Sequence, residues 1–192
     1  MAEKKKRKGR RAYLNDFYAD VNGKYIYTGD VYRYVDDKPF DRAYLRVGLL
    51  CGLVFISVFI VACLPVPSML GLGKLYVILP FILEALGVLL TVWAAIRLRA
   101  NGPDLRSYIW EATVKKLPWW LEMTAFFAGA SVICNVIYLA INGFEGRAFL
   151  GLLAVALHIV AAVSALLGIR ALRAMTWRSG EEENKPLPEP EA

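Results

Sequence analysis

The chain has 192 residues, of which 57% are hydrophobic, and its formal net charge is +6. A soluble domain of this length would show its apolar residues as periodic stripes, whereas here they form four continuous blocks. A helix of about 20 apolar residues crosses the hydrocarbon core of a bilayer, and each block is about that long. We therefore expect an all-α integral membrane protein whose residues 44–174 form a four-transmembrane-helix bundle. The predicted spans cover residues 46–64, 74–98, 118–142 and 148–172.

The basic residues fall almost entirely on one side of such a bundle. Of the 23 Lys and Arg residues, all but Lys74 and Arg147 lie before or at the first residue of the first span, in the connection 97–118, or from residue 170 onward. Because cytoplasmic segments carry the excess of Lys and Arg, both termini are predicted to be cytoplasmic. The first apolar block begins too late and is too long for a cleavable signal peptide. The short outer connections favour a multi-pass protein of a bacterial inner (plasma) membrane.

Residues 1–12 form a polybasic tail, which we expect to be disordered because its like charges repel one another. The tail is consistent with a topology signal and with contact to anionic lipid headgroups, so membrane lipids are a predicted partner. Nucleic acid is the least favoured partner, because no aromatic platform accompanies the charges.

Residues 13–43 form a tyrosine-rich segment that is predicted to lie in the cytoplasm as a small β-hairpin. Two β-prone runs, 24–28 and 31–35, flank the dipeptide Gly29-Asp30, which favours a type II′ turn. Pairing these runs places four side chains on one face, namely Tyr25, Tyr27, Tyr32 and Tyr34. An isolated hairpin is marginally stable, so this face is expected to rest on the protein's own helices, on the membrane interface or on a protein partner.

Two further segments lie outside the predicted spans. In residues 104–116, apolar side chains recur with helical spacing, which favours an amphipathic helix at the inner membrane interface, with a polar loop as the alternative. Residues 175–192 are acidic and rich in proline, and we expect them to form a disordered tail.

Glu84, Asn135 and His158 are polar residues inside three different predicted spans. Counted from the outer ends at about 1.5 Å per residue, Glu84 and His158 lie at nearly the same depth and Asn135 slightly nearer the outer side. An unpaired charge in hydrocarbon is costly, so we expect the three side chains to meet inside the bundle. This candidate intramembrane polar site is consistent with a structural hydrogen bond between helices or with proton or cation coupling at Glu84.

The sequence contains no recognisable catalytic motif. Cys51, Cys63 and Cys134 lie within the spans without a Cys-x-x-Cys pair, so they are interpreted as small packing residues. A single histidine and no His/Asp/Glu ligand spacing argue against a metal, so we expect no cofactor, no metal and no catalytic residue.

These observations lead to two functional hypotheses. The first is a non-enzymatic accessory or interaction subunit that binds a protein partner through its cytoplasmic face, because the outer connections are very short. The alternative is a homo-oligomeric transporter, coupled to protons or cations, that carries small molecules and uses Glu84.

Overall fold

The computed structural model describes residues 16–19, 25–66, 74–142 and 148–180. The predicted polybasic tail, residues 1–12, lies outside these residues. The described chain contains five helices, α1 (Phe40–Cys63), α2 (Leu75–Asn101), α3 (Ser107–Ala112), α4 (Leu117–Asn142) and α5 (Ala148–Arg173). It also contains five short strands, β1 (Phe17–Ala19), β2 (Tyr25–Tyr27), β3 (Val31–Tyr34), β4 (Asp104–Arg106) and β5 (Trp177–Ser179).

The four long helices are each long and apolar enough to cross a membrane, which confirms the predicted four-helix membrane architecture. Their outer faces carry large apolar side chains. Leu49, Phe126 and Phe149 are 66%, 69% and 72% exposed, respectively. In water such faces would be unfavourable, whereas in a bilayer they contact lipid chains.

The long helices pack in a ring, in the order α1, α2, α4 and α5, so that α1 lies diagonally opposite α4. Neighbouring helices are antiparallel. The hydroxyl of Tyr44, near the start of α1, donates to the carbonyl of Ala95, near the end of α2, at 3.0 Å. Arg173 at the end of α5 likewise pairs with Glu122 at the start of α4, at 3.0 Å. One end of the bundle therefore gathers the starts of α1 and α4 and the ends of α2 and α5.

At this end, which we call the sheet end, β3 lies between β4 and β5 and pairs antiparallel with both. In the chain, β4 directly follows α2 and β5 directly follows α5. The antiparallel ring thus brings the C-terminal ends of α2 and α5 to the same end of the bundle. β3 lies between the two strands that follow these helices. Strands β1 and β2 form a separate antiparallel pair.

The predicted pairing of residues 24–28 with residues 31–35 is wrong, although both runs do contain strands. β2 pairs with β1, and β3 pairs with β4 and β5. A type II′ turn needs a positive φ at its first central residue, and among the described residues only Gly102 has one, with φ of 72°. Gly29 therefore does not form a type II′ hairpin turn. At this residue the chain passes from the β1–β2 sheet to the β4–β3–β5 sheet.

The structure also differs from the predictions for residues 104–116 and 175–192. The helix is limited to Ser107–Ala112, because Asp104–Arg106 pairs with β3 and buries Leu105 completely. The start of the tail predicted to be disordered forms β5, and residues 181–192 lie outside the described residues. In both places, pairing with a strand distant in sequence outweighs local propensity.

Candidate functional site

A cluster of buried polar side chains lies inside the bundle. Glu84 comes from α2, Ser131 and Asn135 from α4, and His158 from α5, and none is more than 1% exposed. In a helix, residues seven apart share a face. Val77 and Thr91, seven residues before and after Glu84, are also fully buried. The same pattern that buries the apolar side chains of α2 therefore turns this carboxylate inward.

The cluster joins three helices through Glu84. His158 Nδ1 lies 2.9 Å from Oε2 and 3.1 Å from Oε1 of the carboxylate. The hydroxyl of Ser131 donates to Oε2 at 2.9 Å. The structure thus brings Glu84 and His158 into direct contact, and it adds Ser131, which the sequence reasoning had not included in the site.

Asn135 bonds to the backbone of Ser131, a member of the cluster. Its Nδ2 donates to the carbonyl of Ser131, one turn back on α4, at 2.9 Å. The spacing of four residues places both side chains on one face of the helix, and this spacing is the one sequence signal that could have found Ser131. Serine is common in apolar helices, so the spacing alone did not distinguish it from a packing residue.

A buried site of this kind is least costly when it carries no net charge. Glu84 and His158 satisfy that condition as a carboxylate with an imidazolium, or as a carboxylic acid that donates to a neutral imidazole. In both arrangements Nε2 of His158 carries a hydrogen, and this atom has no hydrogen-bond partner among the described residues. The ring of Phe81 lies edge-to-face with the imidazole, with 6.1 Å between ring centroids.

The chemistry available to the cluster is limited. Among the described residues, no group of three or more His, Cys, Asp or Glu side chains is placed to hold a metal ion. The three cysteines are free: Cys51 is buried, Cys63 is exposed and Cys134 is partly buried. With its polar side chains closed off from solvent, the cluster can link helices or exchange a proton between Glu84 and His158.

The second candidate site is the sheet end, whose inward face is aromatic. Tyr32 stacks on Trp110 of α3, with ring centroids 4.2 Å apart and planes 8° apart. Tyr34 packs edge-to-face against Phe40 and Trp177, at 5.6 Å in each case. These rings fasten β3 and β5 to the ends of the helices.

The four tyrosines of the predicted hairpin do not share one face, because β2 and β3 belong to different sheets. Tyr32 and Tyr34 face the helices. The hydroxyl of Tyr27 lies 2.8 Å from Oγ of Ser107 at the start of α3. The side chain of Tyr25 lies outside the described part of the structure. Three of the four side chains thus contact elements of their own chain, one of the placements left open by the sequence.

The outward face of the three-stranded sheet is charged. Side chains alternate between the two faces along a strand, so the residues between the inward-facing aromatic side chains point outward. Arg33 of β3 lies directly opposite Arg178 of β5 and opposite Asp104 of β4. Arg33 Nε is 3.7 Å from the Asp104 carboxylate. Val35, which continues the outward side of β3, is 44% exposed.

Comparison of the chain with protein-family models, with curated proteins and with solved structures gave no match. The function is therefore inferred from the contacts of the chain's own residues.

Proposed function

We propose that the protein is a non-enzymatic subunit of a membrane complex, and that it binds an acidic surface of a partner protein through the outward face of the sheet β4–β3–β5. In this proposal the sheet end is cytoplasmic. Among the described residues, Lys74 is the one Lys or Arg at the opposite end of the bundle, so the distribution of positive charge supports this orientation.

The observation that carries the proposal is the cross-strand pair Arg33 and Arg178. Like charges directly opposite each other on antiparallel strands destabilise a sheet. Asp104 pairs with Arg33, whereas none of the described carboxylates pairs with Arg178. A carboxylate supplied by a partner would relieve this repulsion, and its interaction with arginine is strong because the guanidinium group donates two parallel hydrogen bonds.

The surroundings of this pair suit a protein partner better than lipid. The helices, and with them the membrane, lie behind the inward aromatic face of the sheet, so the outward face points away from the bilayer. Val35 is 44% exposed on the outward side of β3 and adds apolar contact area. Arginine beside exposed apolar residues is the composition that carries binding energy at many protein interfaces.

Photocrosslinking in the native membrane tests the proposal. A photoreactive amino acid replacing Val35 is expected to form an adduct with a second polypeptide. The charge reversal Arg33→Glu with Arg178→Glu is expected to reduce the yield of this adduct about tenfold or more, since close charge pairs across interfaces are strongly coupled.

The matched control places the same photoreactive residue at Leu45, which is 59% exposed on the outer face of α1. We expect no adduct with that polypeptide from this position. The proposal would be overturned by the absence of an adduct at Val35, or by an adduct whose yield is unchanged by the double charge reversal.

A second candidate function is proton- or cation-coupled transport by a homo-oligomer. It is supported by the contact between Glu84 and His158 and by the buried Nε2 of His158, because ionisable groups inside a membrane commonly mark proton pathways. In liposomes Glu84→Gln is then expected to abolish proton flux, whereas Glu122→Gln, at the exposed ion pair with Arg173, retains it. Equal flux in the wild type and Glu84→Gln would exclude this function.

A further inference from the structure

A groove opens at the sheet end where the turn after α3 meets the start of α4. Its volume is about 510 Å³, within the range of ligand sites. It is lined by Glu111, Lys115, Lys116, Trp119 and Trp120. None of these side chains belongs to the outward face of the sheet or to the polar cluster, so the groove is a separate feature.

The groove carries a net positive charge. Lys115 Nζ lies 3.8 Å from the carboxylate of Glu111, four residues earlier in the chain. Lys116 is exposed and has no ion-pair partner among the described residues. One lysine is therefore partly balanced by Glu111, while the other remains available to an anion.

The tryptophans place the groove at the level of lipid headgroups, where indole rings are enriched because they combine an apolar body with a polar N–H. Trp119 and Trp120 contact each other edge-to-face, with 4.6 Å between ring centroids. Trp119 is 51% exposed, and Phe126 and Ile133, at successive steps of seven residues, are 69% and 61% exposed. An apolar track thus runs from the groove along the outer face of α4.

We propose that this groove binds an anionic glycerophospholipid with a phosphatidylglycerol-type headgroup. Its phosphate lies between Lys115 and Lys116, and a headgroup hydroxyl donates to the carboxylate of Glu111. The acyl chains follow the track from Trp119 to Phe126. Positive charge, headgroup-level indoles and an apolar track meet at this groove, and the inference does not depend on the proposed protein partner.

Native mass spectrometry of the detergent-solubilised full chain, titrated with phosphatidylglycerol or with phosphatidylcholine, measures the preference directly. Wild type is expected to bind phosphatidylglycerol more tightly. Lys115→Gln with Lys116→Gln is expected to lose about fivefold in that preference for each charge removed. Lys115→Arg with Lys116→Arg retains the preference, which separates loss of charge from loss of fold.

Arg46→Gln is the matched control, because it removes one exposed basic charge at the same end of the bundle, on the helix diagonally opposite α4. It is expected to leave the preference unchanged. Brominated phosphatidylglycerol is also expected to quench tryptophan fluorescence more than brominated phosphatidylcholine, and Trp119→Phe is expected to reduce this difference. Equal binding of the two lipids by wild type, or an equal loss in Arg46→Gln, would overturn the proposal.

Discussion

The bundle interior and the sheet end use polar and aromatic side chains in opposite ways. Inside the bundle, Ser131 and His158 both bond to Glu84, and all three side chains are closed off from solvent. At the sheet end, the aromatic rings of Tyr32 and Tyr34 face inward, and the arginines face outward. The interior cluster therefore uses most of its hydrogen-bonding capacity within the protein, whereas the sheet end leaves charged side chains exposed.

The largest effect is expected when one member of the interior pair is removed. His158→Leu leaves the buried Glu84 with the Ser131 hydroxyl but without its His158 partner, and we expect a loss of about 3 kcal/mol in the free energy of unfolding. The double variant Glu84→Met with His158→Leu is expected to recover most of this loss, because it replaces the pair with apolar side chains of similar size. Titration with a denaturing detergent, followed by circular dichroism, measures both values.

The control for this pair is Ile159→Leu, at the next position on α5, which is 47% exposed toward lipid. It is expected to change the free energy of unfolding by less than about 0.5 kcal/mol. A double variant as unstable as His158→Leu alone would contradict the view that the pair is a closed, internally balanced unit.

A smaller and local effect is expected at the sheet end. Trp177→Ala removes the ring that packs against Tyr34 and Phe40, and we expect about 2 kcal/mol of local destabilisation because the ring is only partly buried. Hydrogen exchange is expected to increase in β3 and β5 and to stay unchanged in the helices. Arg178→Ala, the neighbouring residue that faces outward, is the control. It removes the repulsion from Arg33 and therefore should not speed exchange in these strands. Faster exchange throughout the bundle in Trp177→Ala would show that the two regions are not separable.

The packing between α2 and α4 gives a third prediction. A Cβ at Gly87 would lie 2.6 Å from Oγ1 of Thr124, so Gly87→Ala is expected to cost about 1–2 kcal/mol of the unfolding free energy. Gly52→Ala is the matched control, because among the described residues no atom outside the adjoining helix backbone lies within 4 Å of a Cβ there. Adding Thr124→Ala to Gly87→Ala is expected to restore stability. The same detergent titration measures the change in the free energy of unfolding for each variant. Equal losses in Gly87→Ala and Gly52→Ala would contradict the close approach of α2 and α4.

The smallest expected effect concerns pH at the sheet end. Burial, and then the hydrogen bond to Asp36 and its negative charge, raise the pKa of Tyr34 above its ordinary value of 10.0. A tyrosine whose pKa is raised by folding stabilises the fold below pH 10, and this contribution is lost as the pH rises through the folded-state pKa. Absorbance titration of the tyrosinate, with Tyr34→Phe to assign the step, is expected to show a lower pKa for Tyr34 in Asp36→Asn. An unchanged step would exclude Asp36 as a cause.

The two regions also differ in how far the sequence predicted them. The spans were predictable because an apolar helix is a local feature, and counting residues from the helix ends placed Glu84 and His158 at one depth. The partners of β3 were not predictable in the same way. They follow α2 and α5, and only the folded ring brings these helix ends together. Local rules favoured the nearest β-prone run, residues 24–28, and therefore gave the wrong partner.

In the proposed function, binding takes place at the outward face of the sheet and not at the interior cluster. Intact-mass spectrometry of the complex extracted from its native membrane tests this claim with two double variants, Arg33→Ser with Arg178→Ser and Glu84→Met with His158→Leu. We predict that the second polypeptide is lost from the arginine variant and retained by the interior variant. Retention by the arginine variant and loss from the interior variant would contradict it.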